Sequence, residues 1–106
     1  MDKLQNANGT VIVAGGYSCG GCAELGSSVK TIESEFPGTE FLYVSAETDG
    51  EVFRDKEIDR IPCTIVLKGD EEVARCYGYQ PPEILSLWLK NKIGLSAKTD
   101  PGKAKK

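Results

Sequence analysis

A chain of 106 residues suits one domain, and its 40% apolar and 27% charged residues allow one modest core under a soluble surface. The net charge of −3 and a pI near 5.0 argue against nucleic-acid or membrane partners. No run approaches the roughly 18 apolar residues of a membrane span, and the amino terminus lacks an apolar stretch of signal-peptide length. The expectation is a cytoplasmic, reducing location. There, four cysteines are read as catalytic or metal-binding, not as a disulfide framework.

Residues 1–9 are polar and read as a flexible leader to a domain over 10–95. Residues 10–14 form a short β-branched run, expected to be a buried strand. Gly15-Gly16-Tyr17-Ser18 breaks it and leads into Cys19-Gly20-Gly21-Cys22. From Cys22 the apolar residues fall at 22, 25, 29, 32 and 36, which is helical spacing, and Pro37-Gly38 stops that helix. Residues 40–44 read as a second strand, and 52–58 as a weak, polar helix.

Pro62 opens a third strand over 63–68, which turns at Gly69-Asp70 into a fourth over 72–77. Glycine at the first turn position fits a type II′ hairpin. Pro81-Pro82 stands where a helix begins, with Ile84, Leu85, Leu87, Trp88 and Leu89 forming its apolar stripe to about Ile93. Residues 96–106, ending Lys103-Ala104-Lys105-Lys106, read as a solvated basic tail.

The chemistry centres on Cys19 and Cys22. Disulfide exchange needs one thiolate to attack and a second thiol close enough to release the mixed disulfide. A first cysteine just before a helix, with the second in its first turn, meets that need. The free amides at the helix start then stabilise the first thiolate, bringing it well below the usual value of ~8.5. The strand, loop and helix around the motif supply that context. Two other readings stand beside it. A C-x-x-C pair also suits half of a zinc site, with Cys63 and Cys76 as the other half, or zinc or iron-sulfur ligation by Cys19 and Cys22 across two chains. A redox-inactive adaptor is the third.

Tyr17-Ser18-Cys19-Gly20-Gly21-Cys22, together with Arg60-Ile61-Pro62-Cys63-Thr64-Ile65-Val66-Leu67-Lys68 and the later Gly78, resembles the thioredoxin superfamily over about residues 10–93. The resemblance implies an α/β, thioredoxin-like fold with a trimmed, four-stranded mixed sheet flanked by two or three helices. It implies a thiol-disulfide oxidoreductase in which Cys19 is the nucleophile and Cys22 resolves, with no cofactor. It implies a cis bond between Ile61 and Pro62, with Pro62 facing the cysteines. The docking surface carried over is Tyr17, Gly20, Gly21, Ile61, Pro62 and Gly78. Implied partners are protein disulfides and a thioredoxin reductase or glutathione-type recycling system, with the chain as a monomer engaged in electron transport.

The chain departs from the family pattern at several positions. Cys19 comes early, so a first strand and helix are missing and the outline is closer to glutaredoxin. Ser18 replaces the usual Trp, Gly21 the usual Pro, and Ala23 the usual Lys. Val13 stands where the family has a buried Asp, and Ser45 where it has the partner Lys. The resolving thiol then needs water or another group as proton acceptor; Glu24 is read as a solvated residue of the helix's first turn. The two glycines favour the dithiol state by about 2 kcal/mol at most, roughly 40 mV, which is too little to make a strong oxidant.

Counting back from the Gly69-Asp70 turn pairs Lys68 with Glu71 and Cys63 with Cys76, with Cβ atoms about 4.5 Å apart. That spacing predicts, at most, a strained second disulfide. Two small apolar strand residues are the preferred reading.

Overall fold

The computed structural model describes residues 9–17, 19–69 and 71–98. Four strands and three helices follow one another: β1 (Thr10–Gly15), α1 (Gly20–Ile32), β2 (Glu40–Ser45), α2 (Gly50–Asp55), β3 (Cys63–Lys68), β4 (Glu71–Tyr77) and α3 (Pro82–Lys98). The sheet order is β2-β1-β3-β4. β1 runs parallel to β2, and the β1–β3 and β3–β4 pairs are antiparallel. This is the expected four-stranded mixed sheet with three helices.

The two central strands read as continuous apolar runs because both of their faces are covered. In β1, Val11 and Val13 face one side and Ile12 and Ala14 the other, all buried. In β3, residues 63–67 are all buried. The larger core joins Val11, Val13 and Val66 to Leu25, Val29 and Ile32 of α1 and to Leu85, Leu89 and Ile93 of α3. Each such leucine contributes on the order of 2–5 kcal/mol, the usual cost of truncation to alanine. The opposite face gathers Ile12, Ala14, Cys63, Ile65 and Leu67 under the short α2, with Ile58 and Phe53. Beside α2 a groove of about 820 Å³, floored by Ile12, Leu42, Val44 and Leu67, stays open.

Differences from the sequence expectations have local causes. The first helix ends at Ile32, and a 3-10 turn over Glu33–Glu35 carries the chain to Phe36, which packs edge-on against Phe41. The polar helix begins at Gly50 and stops at Asp55, where Lys56 N–H bonds back to Val52 and Glu57 takes a positive φ of 55°. The last helix continues to Lys98, so residues 96–98, expected in the tail, are helical. The rest of the tail, residues 1–8 of the leader, Ser18 and Asp70 lie outside the described residues. Gly69 has a φ of 63°, the left-handed value that a tight hairpin needs.

The largest correction concerns register. Lys68 pairs with Glu71 and Leu67 with Glu72, as counted, but Val66 pairs with Ala74. The irregularity between Val66 and Leu67 leaves Val73 as an extra residue, a β-bulge. From there on Cys63 lies opposite Tyr77, and Cys76 opposite Thr64. A slip of one residue turns every later side chain to the other face. Cys63 therefore joins the α2-side core, while Cys76 shares a face with Thr64 and Ala74. Both thiols are free, and the expected cross-strand pairing is not formed.

Candidate functional site

Strand β1 ends at Gly15, and the chain crosses a glycine-rich loop to reach α1. Cys19 is the N-cap residue of α1, with extended backbone (φ −122°, ψ 111°) and no side-chain capping bond. Cys22 sits in the first helical turn, and its N–H bonds to Cys19 C=O at 3.3 Å. The two sulfurs are joined in a disulfide with an S–S distance of 2.07 Å and Cα atoms 5.3 Å apart. No acidic residue stands in the first turn of α1, so the positive end of the helix faces Cys19 uncompensated.

Three glycines let other segments come close. A Cβ on Gly15 would lie 3.2 Å from Cys22 Sγ, and one on Gly16 would lie 2.9 Å from Ile61 Cδ1. A Cβ on Gly21 would rest 3.7 Å from the Pro62 ring. The Ile61–Pro62 peptide bond is cis. Pro62 C=O accepts the Gly78 N–H at 2.8 Å, and Gly78 holds a φ of 91° with open space where its Cβ would be. Thus Cys22, Gly21, Ile61, Pro62 and Gly78 gather at one end of the sheet. Tyr17 is 73% exposed beside them, and Ile61 lies at the surface.

Behind Cys22 is a cavity of about 160 Å³ whose walls include Val13, Gly15, Leu25, Tyr43, Ser45 and Pro62. Val13 and Ser45 meet here and offer one hydroxyl between them. Glu24 is not in this wall; it is exposed on the outer side of α1, near Ser27, Tyr79 and Pro82.

Glu47 was invisible to sequence reasoning. Its Oε1 accepts the Tyr17 N–H at 3.1 Å and the Ser45 hydroxyl at 2.9 Å. The Ser45 hydroxyl first, then the Tyr17 amide, hold its carboxyl below the usual carboxylate range. Thirty residues separate Glu47 from Tyr17, and no periodicity or motif links them.

The other two cysteines occupy a different environment. Burial pushes the Cys63 thiol up to about 11, partly offset by the Arg75 guanidinium. Burial also raises Cys76, and the Thr64 hydroxyl opposite it acts in the other direction. Among the described residues no group of three or more His, Cys, Asp or Glu side chains is placed to hold a metal ion. The four cysteines are not gathered into one site among the described residues. No helix among the described residues is long and apolar enough to cross a membrane.

No family model matches the sequence. Thioredoxin-1 of Saccharomyces cerevisiae is 24% identical over 66 residues, covering 62% of this chain and 64% of that protein. The chain thus spans less than two thirds of the curated relative it matches. Among solved structures, Fasciola hepatica thioredoxin superposes with a TM-score of 0.72 at 23% identity, covering 86% of this chain and 89% of the other. Trypanosoma brucei brucei thioredoxin gives 0.71 at 21%, covering 89% and 86%. Malassezia sympodialis thioredoxin gives 0.72 at 17%, covering 87% and 84%. The fold is that of thioredoxin.

Proposed function

We propose that this thioredoxin-fold chain is a thiol-disulfide oxidoreductase that reduces protein disulfides through Cys19 and Cys22. The observation that carries the reading is the Cys19–Cys22 disulfide at the amino end of α1, beside the cis Ile61–Pro62 segment. The geometry suits dithiol exchange for physical reasons. An N-cap sulfur lies against unpaired helix amides, which favour its thiolate. A thiol one turn later is within bonding distance of it.

In the proposed cycle, the Cys19 thiolate attacks one sulfur of a substrate disulfide. A mixed disulfide forms, and the first substrate sulfur leaves as a thiolate that solvent protonates. Cys22 then loses its proton and attacks Cys19 Sγ, which expels the second substrate thiolate and restores the Cys19–Cys22 disulfide. Two electrons pass from the dithiol to the substrate, and an external thiol or reductase returns them. With Val13 and Ser45 lining the cavity behind Cys22, the proton passes to solvent and not to a buried carboxylate.

The substrate chain docks over Tyr17, Gly20, Gly21, Ile61, Pro62 and Gly78. The exposure of Tyr17 and Ile61 and the open space over Gly20 and Gly78 support this. Backbone groups at Ile61 pair with the substrate as an added strand. The protein works as a cytoplasmic monomer in electron transport, with thioredoxin-reductase or glutathione-type recycling; its mildly acidic charge and free Cys63 and Cys76 thiols support that location.

The test is equilibration in graded glutathione and dithiothreitol buffers, followed by alkylation and peptide mapping. The expected result is one Cys19–Cys22 couple between about −270 and −200 mV. Thiols that never pair, or that react only after a chelator is added, would instead favour cysteine-ligated zinc or iron-sulfur shared between chains. A pair that titrates yet never turns over a peptide disulfide would favour the adaptor reading.

A further inference from the structure

Four of the seven residues from Gly15 to Gly21 are glycines, and they carry the nucleophilic cysteine. Glycine backbone is the most costly to hold in one conformation. Something outside the loop must hold it.

Three tertiary contacts meet there. Gly15 C=O accepts the Ala46 N–H at 2.9 Å. The Tyr17 N–H, two residues before Cys19, is held by Glu47 Oε1 at 3.1 Å. Gly16 lies under both Ile61 and Glu47, since a Cβ there would sit 2.9 Å from Ile61 Cδ1 and 3.4 Å from Glu47 Oε1. The carboxylate is itself fixed. Ser45 Oγ donates to Oε1 at 2.9 Å and accepts the Glu47 N–H at 3.2 Å, and Ser45 N–H donates to Asp49 Oδ2 at 2.8 Å. A rigid turn at the end of β2 thus presents one carboxylate oxygen to the loop. A hydrogen bond from an amide to an ionised carboxylate is about twice as strong as a neutral one.

We infer that Glu47 is a positioning residue for thiol exchange: by holding the Tyr17 amide, it keeps the glycine-rich loop in place when the disulfide opens. This rests on the proposed oxidoreductase reading. The argument is one of freedom. In the disulfide state the Cys19–Cys22 ring already restrains the loop. In the dithiol state only contacts such as the one to Glu47 do so. Removing that contact frees the dithiol more than the disulfide, lowers the effective concentration of one thiol at the other, and makes the couple more oxidising.

The experiment compares wild type, Glu47→Ala and Glu47→Gln in the same redox buffers, with thermal midpoints recorded. Glu47→Ala removes the acceptor and should disfavour the disulfide about 3- to 10-fold, a rise of roughly 15–30 mV. Glu47→Gln keeps a carbonyl oxygen at the same place and should restore the wild-type potential to within about 2-fold in the equilibrium, or ~9 mV. An unmoved potential in Glu47→Ala overturns the inference. So does a Gln variant shifted as far as the Ala variant, because charge and not the tether would then be responsible. A wild-type protein whose thiols never pair overturns both readings; a titrating wild type with an unmoved Ala variant overturns this one alone.

Discussion

Two pairs of cysteines occur in this small fold, and their surroundings give them opposite chemistry. Cys19 and Cys22 lie at a strand-to-helix junction, three residues apart, where unpaired amides and an exposed loop admit another thiol. Cys63 and Cys76 lie within paired strands, on opposite faces of the sheet, and Cys63 is fully buried among apolar side chains. Burial drives the Cys63 thiol up to about 11, so at neutral pH it is an inert, neutral group. What separates the pairs is position relative to the ends of elements. A helix start stabilises a thiolate, and a strand interior penalises one.

The sharpest way to break this comparison is to exchange cysteine for serine in each pair. Cys19→Ser should reduce disulfide turnover to the buffer background, whereas Cys76→Ser should leave the rate at the wild-type value. Reduction of a peptide disulfide followed by thiol release checks both. If Cys76→Ser is equally inactive, the two pairs are not functionally distinct.

A smaller effect is expected on the scaffold around Cys63. Arg75 forms a two-pronged pair with Glu72, at 2.7 and 2.8 Å, and donates to the Lys56 and Glu57 carbonyls just after α2. It joins β4 to the segment that leads into Ile61 and Pro62. Arg75→Ala should cost about 2–3 kcal/mol in urea unfolding, because the Glu72 charge and two carbonyls lose partners together. A loss within the ±0.5 kcal/mol of an ordinary surface change would show the network to be incidental.

Cys63 should also leave a signature in alkali. Its folded-state pKa is raised from an ordinary 9.0 to about 11, so between those values the native state keeps a proton that the unfolded state has lost. Stability is therefore level below pH 9 and falls as pH rises toward 11, by about 3 kcal/mol in all. Cys63→Ala should lose that part of the slope. Urea midpoints at pH 7, 9 and 10.5 would show it, and equal slopes in the two proteins would contradict it.

The smallest expected effect is none. With Cys63 and Cys76 on opposite faces, oxidation of the native protein should leave two thiols free to react after unfolding. Intact-mass counting of alkylated cysteines would detect a second disulfide and so reject the register.

The sequence by itself determined the elements and the C-x-x-C motif. The β-branched run at 10–14, the 3.6-residue spacing from Cys22 and the Pro and Gly punctuation locate all four strands and the two long helices to within a few residues. These signals are local, since periodicity and helix stops depend on near neighbours. The C-x-x-C motif is local too: three residues of one helix turn fix the distance between its sulfurs. Only the tertiary structure decided the rest. The bulge at Val73 is a cross-strand event, and one uncounted residue was enough to turn Cys63 away from Cys76. Glu47 reaches Tyr17 across thirty residues because β2 lies parallel to β1 and ends beside it. No single stretch of chain carries the information on which segment lies beside which, because pairing across the sheet is chosen by the whole set of buried faces at once.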